Sequence, residues 1–150
     1  MINNTKPPMI LLAEDDSDDR LLVQEAIGDC GWQGELRCVD NGEQLLDYLH
    51  KRGKYLHPAD APRPGLILLD LNMPRKDGRQ ALREIKADPS LRRTPVVVLT
   101  TSKADTDIAG IYELGANSFI SKPVQFEGLV SALRTLCDYW FKTVELPAQK

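Results

Sequence analysis

"LILLDLNMP", Leu66 to Pro74, runs four apolar residues straight into a carboxylate, Asp70, and Pro74 then ends any regular structure. An unbroken apolar run of this length reads as a strand covered on both faces. Two other stretches share the pattern, "MILLAEDD" (Met9–Asp16) and "PVVVLTT" (Pro95–Thr101). "ELRCVD" (Glu35–Asp40) and "NSFIS" (Asn117–Ser121) predict two weaker strands. Between them, apolar residues recur at helical spacing. Leu22, Val23, Ala26, Ile27 and Cys30 follow the acidic start Asp15 to Asp19, and Gly31 stops them. Leu45, Leu46, Tyr48 and Leu49 follow the turn Asp40-Asn41-Gly42; Ala81, Leu82 and Ile85 follow Asp77-Gly78; Ile108, Ile111, Tyr112 and Leu114 precede Gly115. Phe126, Leu129, Val130, Leu133, Leu136, Cys137 and Trp140 form a long final stripe. Strands alternating with helices in this way predict an α/β fold, a doubly wound parallel sheet with right-handed crossovers.

The bulk properties narrow the classes of function. The 150 residues predict one domain, residues 1–150, with its core over residues 9–142 and no effector domain. A net charge of −3 gives no electrostatic footing for nucleic acid or an anionic membrane. No apolar run reaches the ~20 residues a membrane-spanning helix needs. "MINNTKPP" has neither a basic n-region nor an apolar h-region, so a cytoplasmic protein without a secretory signal is expected. Three cysteines, Cys30, Cys38 and Cys137, form no C-x-x-C pair and predict reduced thiols. "HKRGKYLHPADAPRPG" (His50–Gly65) predicts a long surface loop.

In an open parallel sheet, ligands gather beyond the carboxyl ends of the strands. The first predicted strand ends on Glu14, Asp15 and Asp16; the third on Asp70; the fourth on Thr100 and Thr101; the fifth on Lys122. Clustered carboxylates raise one another's pKa unless a cation sits among them. Hard oxygen donors without His or Cys suit Mg²⁺, which keeps open positions for phosphate oxygens. An aspartate beside Mg²⁺ and a lysine is equipped to attack phosphorus and form an aspartyl phosphate. Singly, each residue has an ordinary structural explanation: Asp16 or Ser17 as a helix cap, Thr100-Thr101 as β-branched strand residues, Lys122 as a solvated lysine. Their coincidence on one rim is what points to chemistry.

"ILLAEDDSDD", "LILLDLNMPRKDG", "VVVLTTS" and "FISKPV" together resemble the signature of two-component response-regulator receiver domains, over Met9 to Trp140. The resemblance implies the flavodoxin-like (βα)5 fold with strand order 2-1-3-4-5. It implies Asp70 as phosphoacceptor from the phosphohistidine of a sensor histidine kinase. Mg²⁺ would be held by Asp15, Asp70 and the main-chain carbonyl of Asn72, with Glu14 acting through water. Thr100 resembles the switch hydroxyl with Thr101 beside it, Phe119 the switch aromatic, and Lys122 the phosphate-binding lysine; a cis Lys122–Pro123 bond is implied as well. Phe119 lacks the hydroxyl of the tyrosine often found at that position.

The long loop before "APRPGLILLDLNMPRKDGR", with "VVVLTTSKAD" and the tail "YWFKTVELP", resembles the small stand-alone regulators paired with bacterial and cyanobacterial phytochromes. Lys122-Pro123 departs from the Lys-Ser of some of them. This implies a phytochrome as the kinase and a homodimer, with output through an unidentified protein partner. Tyr139, Trp140 and Phe141 are consecutive and not expected to face one core, so they are the expected dimer surface, with the fourth and fifth helices. An intermediate phosphorelay carrier and a regulator of a non-phytochrome kinase are the alternatives. A haloacid-dehalogenase-type phosphatase wants an Asp two residues after its nucleophile, where this chain has Asn72. An FMN module needs a phosphate-cradling loop after the first strand, where "AEDDSDD" would repel phosphate.

Overall fold

The computed structural model describes residues 8–57, 62–71, 73, 77–101 and 105–147. Five strands form one sheet: β1 (Met9–Ala13), β2 (Leu36–Val39), β3 (Pro64–Leu69), β4 (Val96–Thr100) and β5 (Ser118–Ser121). All pairs are parallel and the order is β2-β1-β3-β4-β5, as expected. The strands whose apolar runs are unbroken, β1, β3 and β4, are buried along their whole length. The two weaker strands form the edges.

The helices are α1 (Ser17–Asp29), α2 (Gly42–His50), α3 (Gly78–Ala87), α4 (Asp105–Glu113) and α5 (Phe126–Asp138). Strand side chains alternate between two faces, and the core divides accordingly. On one face Ile10, Leu12, Leu66, Leu68, Val97 and Leu99 meet Val23, Ala26 and Ile27 of α1 and Leu129 and Leu133 of α5. On the other, Leu11, Ile67, Leu69, Val96 and Val98 meet Leu45 and Leu46 of α2, Ala81, Leu82 and Ile85 of α3, and Ile111 of α4. Burying each Val, Leu or Ile side chain among them contributes about 1.5–3 kcal/mol, so the two layers hold the strand ends in a fixed relation.

Three helices start on side-chain caps that the turn residues supply. Asp16 accepts from the Asp18 and Asp19 N–H groups, Asn41 from Gln44 N–H, and Asp77 from Gln80 N–H. Asp16 is therefore occupied in starting α1. The expected loop after α2 is shorter than the sequence suggests: Gly53–Tyr55 forms a 3₁₀ turn, and Pro64 and Gly65 open β3. Cys30, Cys38 and Cys137 are free thiols. No described helix is long and apolar enough to cross a membrane.

Two expectations need correction. Leu22, assigned to the buried stripe of α1, is 42% exposed, because α1 turns Val23, Ala26 and Ile27 toward the sheet instead. Phe141, expected to lie off the core stripe, packs inward. After α5 the chain continues as one π-helical turn, Tyr139–Thr143, whose wider winding lets neighbouring residues share a side. Trp140 and Phe141 both pack against the α1/α5 core, and the Phe141 ring stacks on Trp32 at 5.2 Å. Of the three consecutive aromatics only Tyr139 is exposed.

Candidate functional site

Period-two alternation fixes which way each strand-end residue goes. Glu14 continues the β1 series Ile10–Leu12, and Asp70 continues the β3 series Leu66–Leu68, so both emerge on the α1/α5 side. β1 and β3 are neighbours paired to their last residues, Ala13 with Leu69. Two carboxylates are thus delivered side by side at the centre of the sheet. Glu14 is 2% exposed and Asp70 8%. Oxygens of Glu14, Asp15 and Asp70 all lie within 4.8 Å of one another.

Burial, with the charge of Asp70 adding to it, raises the Glu14 carboxyl to about 7 against the partial relief given by Lys122. Lys122 leaves the end of β5 and reaches past the ends of β4 and β3 to donate to Glu14 Oε1 at 3.0 Å. Its ammonium is also 3.4 Å from Asp19 Oδ2 on the first turn of α1. Burial lowers the lysine's pKa, but the hydrogen bond to Glu14 and the charges of Glu14, Asp19 and Asp70 outweigh it, and the net direction is upward. Lys122 stays charged. The Lys122–Pro123 bond is trans, not cis as expected; among the described residues no peptide bond is cis. Trans is the favoured isomer of an X–Pro bond, and the chain leaves β5 without needing the other, with Lys122 N–H bonded to Thr100 O at 2.7 Å.

Thr100 ends β4 and is 1% exposed; its hydroxyl is buried without a hydrogen-bond partner among the described residues. A buried hydroxyl left in that state costs about 1–3 kcal/mol of desolvation. By alternation Thr100 follows Val96 and Val98 onto the α2–α4 face. Phe119 packs on that same face, opposite Val98 in β5. Thr100 and Phe119 are therefore diagonal neighbours on one side of the sheet. The Tyr112 hydroxyl of α4 accepts a hydrogen bond from the Phe119 N–H at 3.1 Å, so a hydroxyl does stand beside the phenyl residue. Thr101 is exposed and lines a cleft of about 300 Å³ between α1 and the start of α5, with Asp19, Leu22 and Lys122.

After Asp70 the backbone is packed tightly. Gly78, the first residue of α3, donates to Leu71 O at 3.0 Å. A Cβ at Gly78 would sit 2.7 Å from Leu71 Cα and closer still to the Asp70 carbonyl oxygen. Only glycine permits this approach, and it anchors the chain leaving Asp70. The expected carbonyl ligand, Asn72, lies outside the described residues.

The structure thus brings Glu14, Asp15, Asp70 and Lys122 together, and places Thr100 and Phe119 on the opposite face of the sheet. Sequence reasoning missed Asp19 as a partner of Lys122, 103 residues away, and Tyr112 as a partner of Phe119. The acidic run after Met9–Ala13 hinted at the first; nothing in the sequence pointed to the second. Three hard oxygen donors so close, with surplus negative charge and without His or Cys, fit a divalent cation such as Mg²⁺ or Mn²⁺.

An acidic pocket at the centre of a 2-1-3-4-5 sheet, with a lysine and a threonine on the flanking strands, defines a receiver, and the chain belongs to that family. Residues 10–134 match the family described as response regulator receiver domain. The chain is 42% identical over 149 residues to the response regulator Rcp1 of Synechocystis sp., covering 99% of both. The Mn²⁺-bound form of Rcp1 superposes with a TM-score of 0.85, over 95% of this chain and 100% of that one. A phosphorylated cyanobacterial phytochrome response regulator, RcpA, is 42% identical with a TM-score of 0.87, over 95% of this chain and 99% of that one. Response regulator RPA3017, from red light signalling of R. palustris, is 38% identical with a TM-score of 0.90 over the same shares. The protein is a receiver-domain response regulator closely related to the phytochrome response regulators.

Proposed function

We propose that this regulator accepts a phosphoryl group on Asp70 from the phosphohistidine of a sensor histidine kinase, a phytochrome, in the cytoplasm. The observation that carries the reading is the buried Asp70 carboxylate beside Glu14 and Asp15, with Lys122 as the neighbouring cation. The kinship to RcpA and RPA3017 supports a light-sensing kinase as donor. Asp70 attacks phosphorus, and the phosphorus–nitrogen bond breaks with its electrons returning to the imidazole. Lys122 holds an oxygen of the transferred group. Asp15, Asp70 and the Asn72 carbonyl would hold Mg²⁺, with Glu14 acting through water. The bound ion supplies positive charge against the carboxylates and phosphoryl oxygens. The chain catalyses only its own phosphorylation and dephosphorylation and is not otherwise an enzyme.

The phosphoryl group adds roughly −1.5 to −2 charge at the rim. Thr100, with its unengaged hydroxyl, turns toward it, and Phe119 follows into the space on its face of the sheet. The result is a shift between two packings rather than a new fold. Output passes by protein–protein contact. A homodimer through α4, α5 and the exposed Tyr139 belongs to this reading. An apolar groove between β5 and α5, lined by Ile120, Leu136, Tyr139 and Trp140, supports it.

The test is intact mass after incubation with Mg²⁺ and acetyl phosphate. One phosphoryl group is expected on the wild type and on Asp16→Asn, and none on Asp70→Asn. Full labelling of Asp70→Asn would refute the acceptor assignment. Transfer rates from a panel of phosphorylated kinases then decide the donor: fastest transfer from a non-phytochrome kinase would replace the phytochrome reading.

A further inference from the structure

The Lys122 ammonium lies between two carboxylates of different character. Glu14 Oε1 is 3.0 Å away on a side chain that is 3% exposed, while Asp19 Oδ2 is 3.4 Å away on one that is 40% exposed. Asp19 stands on the first turn of α1 and lines the cleft that runs past Thr101 and Gln125. We propose that Asp19 is a positioning residue for phosphoryl transfer, drawing the Lys122 ammonium toward α1 and so setting how readily it engages a phosphoryl oxygen on Asp70. The proposal rests on the acceptor assignment above.

An ammonium offers three protons in a fixed tetrahedral fan. With two directed at Glu14 and Asp19, an oxygen arriving on Asp70 takes the third or displaces a partner. Displacing Glu14 would leave a buried anion without its cation, which is costly. Displacing Asp19 returns a half-exposed carboxylate to water, which costs little. Asp19 is therefore the contact that yields. With acetyl phosphate, an Asp70 oxygen forms the new bond to phosphorus as the bond to the acetyl oxygen breaks. That electron pair departs with acetate, and nothing is oxidised or reduced. Lys122 faces the transferring group in this step, and the pull of Asp19 opposes that turn.

Two simpler roles for Asp19 have a built-in control. An acid on the first turn of a helix favours the helix dipole, and any acid near the site repels a phosphodonor. Asp18 shares both properties, one residue away on the same turn and exposed.

The experiment follows aspartyl-phosphate formation on the full chain by intact mass at saturating Mg²⁺ and limiting acetyl phosphate. Asp19→Asn is expected to raise the rate constant roughly two- to fivefold, the range of an exposed ion pair. Asp19→Ser repeats the measurement should the amide disturb α1. Asp18→Asn should leave the rate as it is. Lys122→Gln should lower the rate, and in that background Asp19→Asn should add nothing. The ¹⁵N resonance of the Lys122 ammonium should move in Asp19→Asn and stay in place in Asp18→Asn. Equal gains from the Asp18 and Asp19 variants would overturn the proposal, as would a gain that survives without Lys122. A wild type that takes no label would instead overturn the acceptor assignment itself, and this role with it.

Discussion

Lys122 Nζ lies 3.0 Å from Glu14 Oε1, a contact that joins the end of β5 to the end of β1 with two strands between them. It is a buried pair, so its members are more costly to leave alone than to replace together. Lys122→Ala should therefore lower the stability of the metal-free protein by about 3–5 kcal/mol. Lys122→Met combined with Glu14→Gln should recover most of that loss. Urea midpoints with a chelator present measure both; a double variant as unstable as the single would show that Glu14 is not the partner that matters.

The Glu14 carboxyl, pushed up to about 7 by burial and by Asp70, makes stability depend on pH. Its folded pKa exceeds its unfolded one, so the folded state holds the proton more tightly. Stability from this group is fully present below the unfolded carboxylate pKa, falls as pH rises, and is lost once pH passes about 7. Denaturation in a chelator should show this decline, and Glu14→Gln should flatten it. Mg²⁺ should raise the melting temperature more at pH 8 than at pH 5, because its ligands must be deprotonated. Equal metal stabilisation at both pH values would contradict the placement of Glu14 in the metal cluster.

Thr100 offers an unusual separation of stability from signalling. Thr100→Val keeps the shape and removes a buried hydroxyl that has no partner among the described residues. The unphosphorylated protein should gain about 1 kcal/mol, since the desolvation cost of that hydroxyl disappears. The variant should still take label on Asp70, while a fluorine probe on Phe119 no longer shifts on phosphorylation. A normal shift would remove Thr100 from the switch.

At Gly78 the close approach to Leu71 and the Asp70 carbonyl leaves no room for a methyl group. Gly78→Ala should cost about 1–3 kcal/mol, the usual penalty of overpacking. It should also slow phosphorylation by displacing the backbone that follows the acceptor. A drop in the urea midpoint with an unchanged labelling rate would separate the two effects.

Phe141 and Tyr139 should behave differently although they are two residues apart. Phe141→Ala removes the ring stacked on Trp32, so it should destabilise the monomer and alter tryptophan fluorescence. Tyr139→Ser, on an exposed side chain, should leave stability near wild type and weaken self-association in sedimentation. A wild type that remains monomeric at high concentration, phosphorylated or not, would withdraw the dimer.

The parts of this molecule legible in sequence were those set by one-dimensional patterns. Unbroken apolar runs marked β1, β3 and β4 because strands buried on both faces need no alternation. Asp70, Asp15 and Lys122 could be assigned to one rim because a parallel sheet points every strand end the same way. Strand order came from family resemblance, since periodicity does not encode which strands are neighbours. What escaped were relations between distant side chains. Asp19 and Lys122 meet only once α1 and the end of β5 are folded together, and Leu22 was assigned inward because helical spacing cannot distinguish adjacent positions at the edge of an apolar stripe. Phe141 escaped because the α-helical period was carried through a segment that winds as a π turn.

Asp70 and Phe119, the proposed acceptor and switch aromatic, stand on strands of unequal constraint. Asp70 follows β3, held between β1 and β4, while Phe119 belongs to β5, which has a neighbour on one side only. Displacing β3 would disturb two ladders and both core layers. Displacing β5 disturbs one ladder and the contacts beneath α4 and α5. In mechanical terms the molecule has a stiff anvil at its centre and a compliant lip at its border, so the strain of a new phosphoryl group has one inexpensive direction in which to relax. In the proposed switch, a signal leaving by the border strand would reshape a surface without loosening the sheet that receives it.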